Sequence, residues 1–134
     1  IRARLDLAPN RSEVAMIEYS SLVEVGATSH AFDAGEKVFK QDDAASHLYI
    51  VCSGRIQIVT YGTILENVGP GGVFGEMALI DEAPRSAAAI AMEPTEVLEL
   101  SRAQFLALVQ ETPEFALHIM AILANRIRKM NTSL

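Results

Sequence analysis

Apolar positions along this chain change rhythm at about Ser101. From Leu22 to Thr95 they fall in short β-type runs: Val23 to Val25, His30 to Phe32, Lys37 to Phe39, His47 to Ser53, Arg55 to Tyr61 and Ile64 to Val68. Turn residues punctuate them at Gly26, Gly35, Asp42-Asp43, Gly54, Gly62 and Gly69-Pro70-Gly71-Gly72. Strands recurring roughly every eight to twelve residues predict an antiparallel roll or sandwich rather than alternating βα units. Ser53-Gly54 and Tyr61-Gly62 read as hairpin turns. Ile64-Leu65, Val68 and Val73-Phe74 read as core-forming, and two more strands, Ala87 to Met92 and Glu96 to Leu100, flank Glu93-Pro94-Thr95.

After Ser101 the period becomes helical. Ser101 caps a helix from Arg102 to about Gln110, with Phe105, Leu106, Leu108 and Val109 on one broad face. Thr112-Pro113-Glu114 starts a second helix that runs from Pro113 to about Asn131. Its unbroken apolar stretch, Ile119 to Ala124, is too wide for one side of a surface helix. One face is expected on the roll, the other against a second copy or a partner. At the opposite end, Pro9-Asn10-Arg11-Ser12 offers a turn or cap, and Glu13 to Tyr19 a short helix. The expected class is therefore mainly β with α: an antiparallel, jelly-roll-like double-stranded β-roll with a short N-terminal helix and two C-terminal helices. Its divisions are an N-terminal helical segment, 1–21, and a main domain, 22–134, with the roll at about 22–100 and the helices at about 102–131.

Composition narrows the function. A chain of 134 residues with 50% hydrophobic content can bury one core, which argues against disorder. The net charge of −6 argues against a direct nucleic-acid surface. Its single cysteine, Cys52, follows Leu48-Tyr49-Ile50-Val51 and reads as a small core residue rather than a nucleophile. With no disulfide framework, no signal peptide and no apolar run of membrane-spanning length, the expectation is a cytoplasmic domain without direct membrane contact. The first residue is isoleucine, as expected of a processed chain or a piece of something longer.

The chemistry concentrates in Gly71-Gly72-Val73-Phe74-Gly75-Glu76-Met77-Ala78-Leu79, followed by Pro84-Arg85-Ser86-Ala87. Glycines allow close backbone approach, and the free N–H groups of a short helical turn at Glu76 to Leu79 point at whatever lies before it. Arg85, nine residues after Glu76, can grip a phosphate with its planar fork. The run reads as a cradle for a small anion. It is not a Walker loop, since no Gly-Lys-Ser/Thr follows, and no Gly-x-Ser-x-Gly nucleophile elbow occurs. His30, His47 and His118 are too isolated for a metalloenzyme. No enzyme activity, cofactor or metal is expected.

On these motifs the sequence resembles the cyclic nucleotide-binding domain, the sensor shared by catabolite-activator-type regulators, cyclic-nucleotide-gated channels and regulatory subunits of cAMP-dependent kinase. The resemblance covers about Phe32 to Asn131 and includes Ala34-Gly35-Glu36, Leu48-Tyr49-Ile50-Val51 and Ser53-Gly54-Arg55. It centres on Phe74 to Leu79 and Pro84 to Ala87, which look like the family's phosphate-binding cassette. It implies that Arg85 binds the exocyclic phosphate, with Gly75, Met77, Ala78 and Ala87 offering backbone N–H groups and Glu76 accepting the ribose 2′-hydroxyl. A deoxyribose analogue should then bind poorly. Ser86 would reach the phosphate or the edge of a syn guanine.

The resemblance also implies a lid from the last helix, with Arg126 reaching the ligand. Met130 and Asn131 stand where catabolite-activator relatives present a Thr-Ser pair to adenine, which leaves the base and the dimer-spanning contact open. Each residue alone has a plainer reading. Arg85 would pair with Asp81, Glu82 or Glu76 on the surface, Glu76 would stabilise a helix start, Ser86 would be a strand hydroxyl, and Arg126, like Arg128 and Lys129, would match the helix dipole. Taken together, the resemblance implies a sensor of cAMP, with cGMP as the alternative ligand, reporting through a homodimer or effector contact of the last helix. The run Glu66-Asn67-Val68-Gly69-Pro70-Gly71-Gly72 resembles stand-alone bacterial members of the family. The remaining alternatives are the sensor piece of a larger transcription regulator or channel, and a partner-binding module of the same fold with a degenerate pocket.

Overall fold

The computed structural model describes residues 22, 24–81 and 83–132. Among the described residues, eight strands form two four-stranded antiparallel sheets. The first has the order β1-β8-β3-β6, from β1 (Thr28–Phe32), β8 (Thr95–Ser101), β3 (His47–Ser53) and β6 (Val73–Phe74). The second has the order β2-β7-β4-β5, from β2 (Lys37–Phe39), β7 (Ala88–Ala91), β4 (Ile56–Thr60) and β5 (Thr63–Val68). A 3-10 turn, Glu76–Leu79, follows β6, and helices α1 (Arg102–Glu111) and α2 (Glu114–Thr132) follow β8. The expected β-roll with two C-terminal helices is the observed fold.

Strand period explains the unbroken apolar text of β3. Successive side chains point to opposite faces. Leu48 and Ile50 join Leu98, Leu100, Leu108, Phe115 and Ile119 in a core under the helices. Tyr49 and Val51 face the other way, joining Ile56, Val68, Phe74, Ala89, Ala91 and Val97 between the sheets. With both faces covered, the strand needs no polar alternation. Cys52 packs partly against the helix-side core, and burial pushes its thiol up to about 11, so it is a poor nucleophile.

Several expectations require correction. Leu22 and Glu24 are helical and Val25 lies in a turn, so the described residues of the expected Val23 to Val25 strand are not extended. Leu22 is fully buried under the helices, where a helical turn places it against the core. Ser53-Gly54 is not a hairpin turn, because β3 pairs with β6 and β8 whereas β4 pairs with β5 and β7. Gly54 instead carries the chain from one sheet to the other. Its φ is 88°, and a Cβ there would lie 2.3 Å from Thr95 Oγ1 and 2.5 Å from the Pro94 carbonyl oxygen. Tyr61-Gly62 does close the β4–β5 hairpin. Ile64 and Leu65 are 54% and 57% exposed rather than core-forming, because β5 is an edge strand and the ladder shifts between Ile58 and Val59. Val68, Val73 and Phe74 are buried as expected.

Ser101 caps α1 reciprocally: its hydroxyl accepts from the Gln104 N–H at 3.2 Å, and its N–H donates to Gln104 Oε1 at 2.8 Å. Leu108 is buried and Phe105 and Val109 pack partly against the core, but Leu106 is 49% exposed, off the expected face. On α2, Ile119 is buried and Met120 exposed, so the apolar stretch is covered on one side within this chain. The segment 1–21, with the helix expected at Glu13 to Tyr19, lies outside the described residues. Among those described, no single helix is long and apolar enough to cross a membrane.

Candidate functional site

The turn after β6 and the segment before β7 meet over one cavity of about 320 Å³. Its walls include Phe39, Ile58, Glu66, Phe74, the run Gly75 to Ala78, Asp81, Arg85 to Ala87, and Arg126. Every residue expected to touch ligand thus lies around one space. That volume is within the usual range for small-molecule pockets.

Gly75 makes the cradle possible. It caps the 3-10 turn in the left-handed region, φ 76° and ψ 14°. A Cβ at this position would lie 2.9 Å from an Arg85 terminal nitrogen and 3.3 Å from the Tyr49 ring. A side chain would therefore be strained and would push the arginine aside. The next residues alternate in exposure: Glu76 and Ala78 are buried, Met77 is exposed. The Ala78 N–H donates to the Gly75 carbonyl at 3.3 Å, so this expected ligand donor is engaged within the turn.

Arg85 is 7% exposed, not paired on the surface. Its guanidinium donates to the carbonyls of Gly75, at 3.0 Å, and His47, at 2.7 Å, and lies 4.0 Å from the Phe39 ring centroid. Its main chain is pinned as well, the N–H donating to the Asp43 carbonyl and the carbonyl accepting from the Asp42 N–H. Burial pulls its pKa below the ordinary value, which the neighbouring Tyr49 hydroxyl partly offsets. Its Nε is buried without a hydrogen-bond partner. A buried cation bonded to neutral carbonyls, with a donor to spare, is set up to receive an anion. Ser86 is exposed at the rim and Ala87 buried behind it.

Arg126 comes from α2, and the dipole-matching surface role does not describe it. Its side chain is 21% exposed and reaches three partners: Glu76 Oε1, the Val73 carbonyl and Glu66 Oε1. The contact of its Nε with Glu66, at 2.5 Å, is an ion pair rather than a directed hydrogen bond. Glu76 therefore grips the last helix rather than merely stabilising a turn. Glu66 was not among the expected site residues. The signal was present in period 2, because Glu66 shares a strand face with buried Val68 and is a charge where an apolar residue belongs. Phe39 and Tyr49 were likewise missed, since aromatics in strands read as core.

The described part of α2 is also fastened by His118, 3% exposed, whose Nε2 lies 3.3 Å from the Gly71 carbonyl oxygen and whose ring stacks on Phe115. Among the described residues, no group of three or more His, Cys, Asp or Glu is placed to hold a metal ion.

The model of the cyclic nucleotide-binding domain matches residues 29–112, most of the chain. The chain belongs to the cyclic nucleotide-binding domain family. The Cyclic AMP receptor protein of Thermus thermophilus is 39% identical over 108 residues, covering 77% of this chain and 50% of that protein. The crystal structure of the Thermus thermophilus catabolite activator protein superposes with a TM-score of 0.72 at 36% identity, covering 95% of this chain and 58% of that one. A cAMP-dependent protein kinase regulatory subunit of Yarrowia lipolytica is 40% identical over 73 residues, 54% of this chain and 20% of that subunit. The chain spans half or less of the length of these curated relatives.

Proposed function

We propose that this domain senses cAMP, holding it between the cassette and α2 and reporting occupancy through movement of that helix. In this reading Arg85 binds the phosphate with help from the Gly75, Met77 and Ala87 N–H groups and Ser86, while Glu76 accepts the ribose 2′-hydroxyl. The observation that carries the reading is Arg85: a 7% exposed guanidinium with carbonyl partners and a buried, unpartnered Nε. The preference for cAMP over cGMP is supported by the name of the Thermus relative. The domain binds its nucleotide without transforming it.

Arg126 links binding to output. It ties α2 to Glu76, the residue the ribose would claim, so ligand and helix compete for or share one carboxylate. A ligand that favours one helix position shifts the balance between the two. Leu117, Met120 and Ile127 on α2 are 63%, 59% and 58% exposed, which supports a second copy or an effector domain as the receiver.

Titration calorimetry of the wild type and Arg85→Ala with cAMP and cGMP tests the reading. The expected result is wild-type binding in the micromolar range or tighter, stronger for cAMP. Arg85→Ala should lose at least about 1.5 kcal/mol, roughly tenfold, because hydrogen bonds to charged groups are worth that much or more. Wild-type protein that binds neither nucleotide would refute the sensor.

A further inference from the structure

The cavity proposed to capture an anion has an unfavourable charge count. Its lining carries three carboxylates, Glu66, Glu76 and Asp81, against two guanidinium groups, Arg85 and Arg126, a formal net charge of −1. Glu76 has the ribose to receive. Glu66 has no such role. Its side chain is 28% exposed, and burial raises its pKa, an effect that Arg126 counters, nearby Glu76 reinforces and Lys129 counters. It occupies an inward position of edge strand β5, opposite Ile58, which also lines the cavity.

We propose that Glu66 is an affinity-setting residue: its carboxylate occupies Arg126 and cancels the charge that this arginine would otherwise turn toward the nucleotide phosphate. This rests on the cyclic-nucleotide reading of the pocket. Two carboxylates and one carbonyl surround the Arg126 guanidinium, so little of its field reaches the cavity. With Glu66 neutralised, the pocket walls gain one unit of positive charge at a distance of a few ångströms, in surroundings far less polarisable than water. The sensor is thereby detuned to respond at higher ligand concentration than its two arginines alone would permit.

A structural role gives the opposite sign. An inward charge on an edge strand also discourages edge-to-edge pairing, and removing a residue with only that role cannot tighten ligand binding. The experiment is calorimetric titration of cAMP and cGMP into wild type, Glu66→Gln, Arg126→Ala and the double variant, at low salt and in roughly 1 M salt, where screening acts over about 3 Å. Glu66→Gln should bind the nucleotide of choice roughly three- to tenfold more tightly at low salt, with the gain shrinking at high salt. Arg126→Ala, which leaves both carboxylates unneutralised, should bind more weakly, and adding Glu66→Gln should restore part of the loss.

Equal or weaker binding by Glu66→Gln, or a double variant no better than Arg126→Ala, overturns this role for Glu66 while leaving the sensor intact. A wild type that binds neither nucleotide overturns the sensor and this inference together.

Discussion

Arg85 and Arg126 reach the same cavity from different parts of the molecule, and they are held in opposite ways. Arg85 belongs to the roll. Its guanidinium rests on two backbone carbonyls and an aromatic ring, and its own main chain is tied to Asp42 and Asp43. Arg126 belongs to the last helix, and two of its three partners are carboxylate side chains from β5 and the 3-10 turn. Carbonyls fixed in a sheet or a tight turn cannot swing away, whereas a glutamate changes rotamer at small cost. Under the proposed function the first arginine is a preset receptor and the second an exchangeable fastening, a division that would separate capturing a ligand from reporting it.

The strongest way to break this contrast is to disturb the receptor through its backbone. Gly75→Val puts a β-branched residue at φ 76° and a Cβ where an Arg85 terminal nitrogen now sits 2.9 Å away. Strain of this kind costs on the order of 2 kcal/mol, measurable as a fall in denaturant midpoint. Nucleotide affinity should drop at least as far as in Arg85→Ala. Full affinity in Gly75→Val would mean that Arg85 is not preset by this turn.

A milder change sharpens the same point. Phe39→Leu keeps an apolar side chain but removes the ring beneath Arg85, which also packs against Tyr49 and Phe74 at centroid distances of 5.9 and 6.0 Å. A cation–π contact of this burial is worth about 1 kcal/mol, so binding measured by calorimetry should weaken by roughly fivefold. Because the cation–π contact on this ring is made by Arg85, the effect should add to that of Arg126→Ala within a few tenths of a kcal/mol. Strong coupling between the two substitutions would show that the two arginines act as one unit.

The same division governs what the amino-acid text discloses. The receptor is local: Gly75, Glu76 and Arg85 lie within eleven residues, and their glycine, turn and arginine chemistry can be read in order. The fastening joins residues fifty or more positions apart, Arg126 to Glu76 and to Glu66; a charge on the face of buried Val68 marks Glu66, but no local pattern names its partner. Coverage of a strand is equally non-local. Leu48 to Val51 are buried on both sides because helices and a second sheet flank β3, whereas Ile64 and Leu65, of similar apolar character, are exposed at an edge. Period 2 sorts side chains to two faces but does not say what lies over either. Gly54 is the third case: its turn is evident, but only the partner strands decide that it leads to the other sheet.

The smallest effect concerns how the last helix is seated, through His118. Its ring is buried against Phe115, its Nε2 faces the Gly71 carbonyl, and its Nδ1 is buried without a partner. Desolvation holds its pKa below the ordinary 6.5, only partly opposed by the Gly71 contact. Between the folded pKa and 6.5 the unfolded chain binds more protons than the folded one, so stability contributed by neutral His118 is present above about pH 6.5 and declines as pH falls through that window. Urea melts across this range should show the decline, and His118→Phe, which retains the stack on Phe115, should flatten it. A slope unchanged in His118→Phe would place its origin elsewhere. A flattened slope with unchanged nucleotide affinity at neutral pH would instead make His118 a seat for the last helix, separate from the receptor proposed around Arg85.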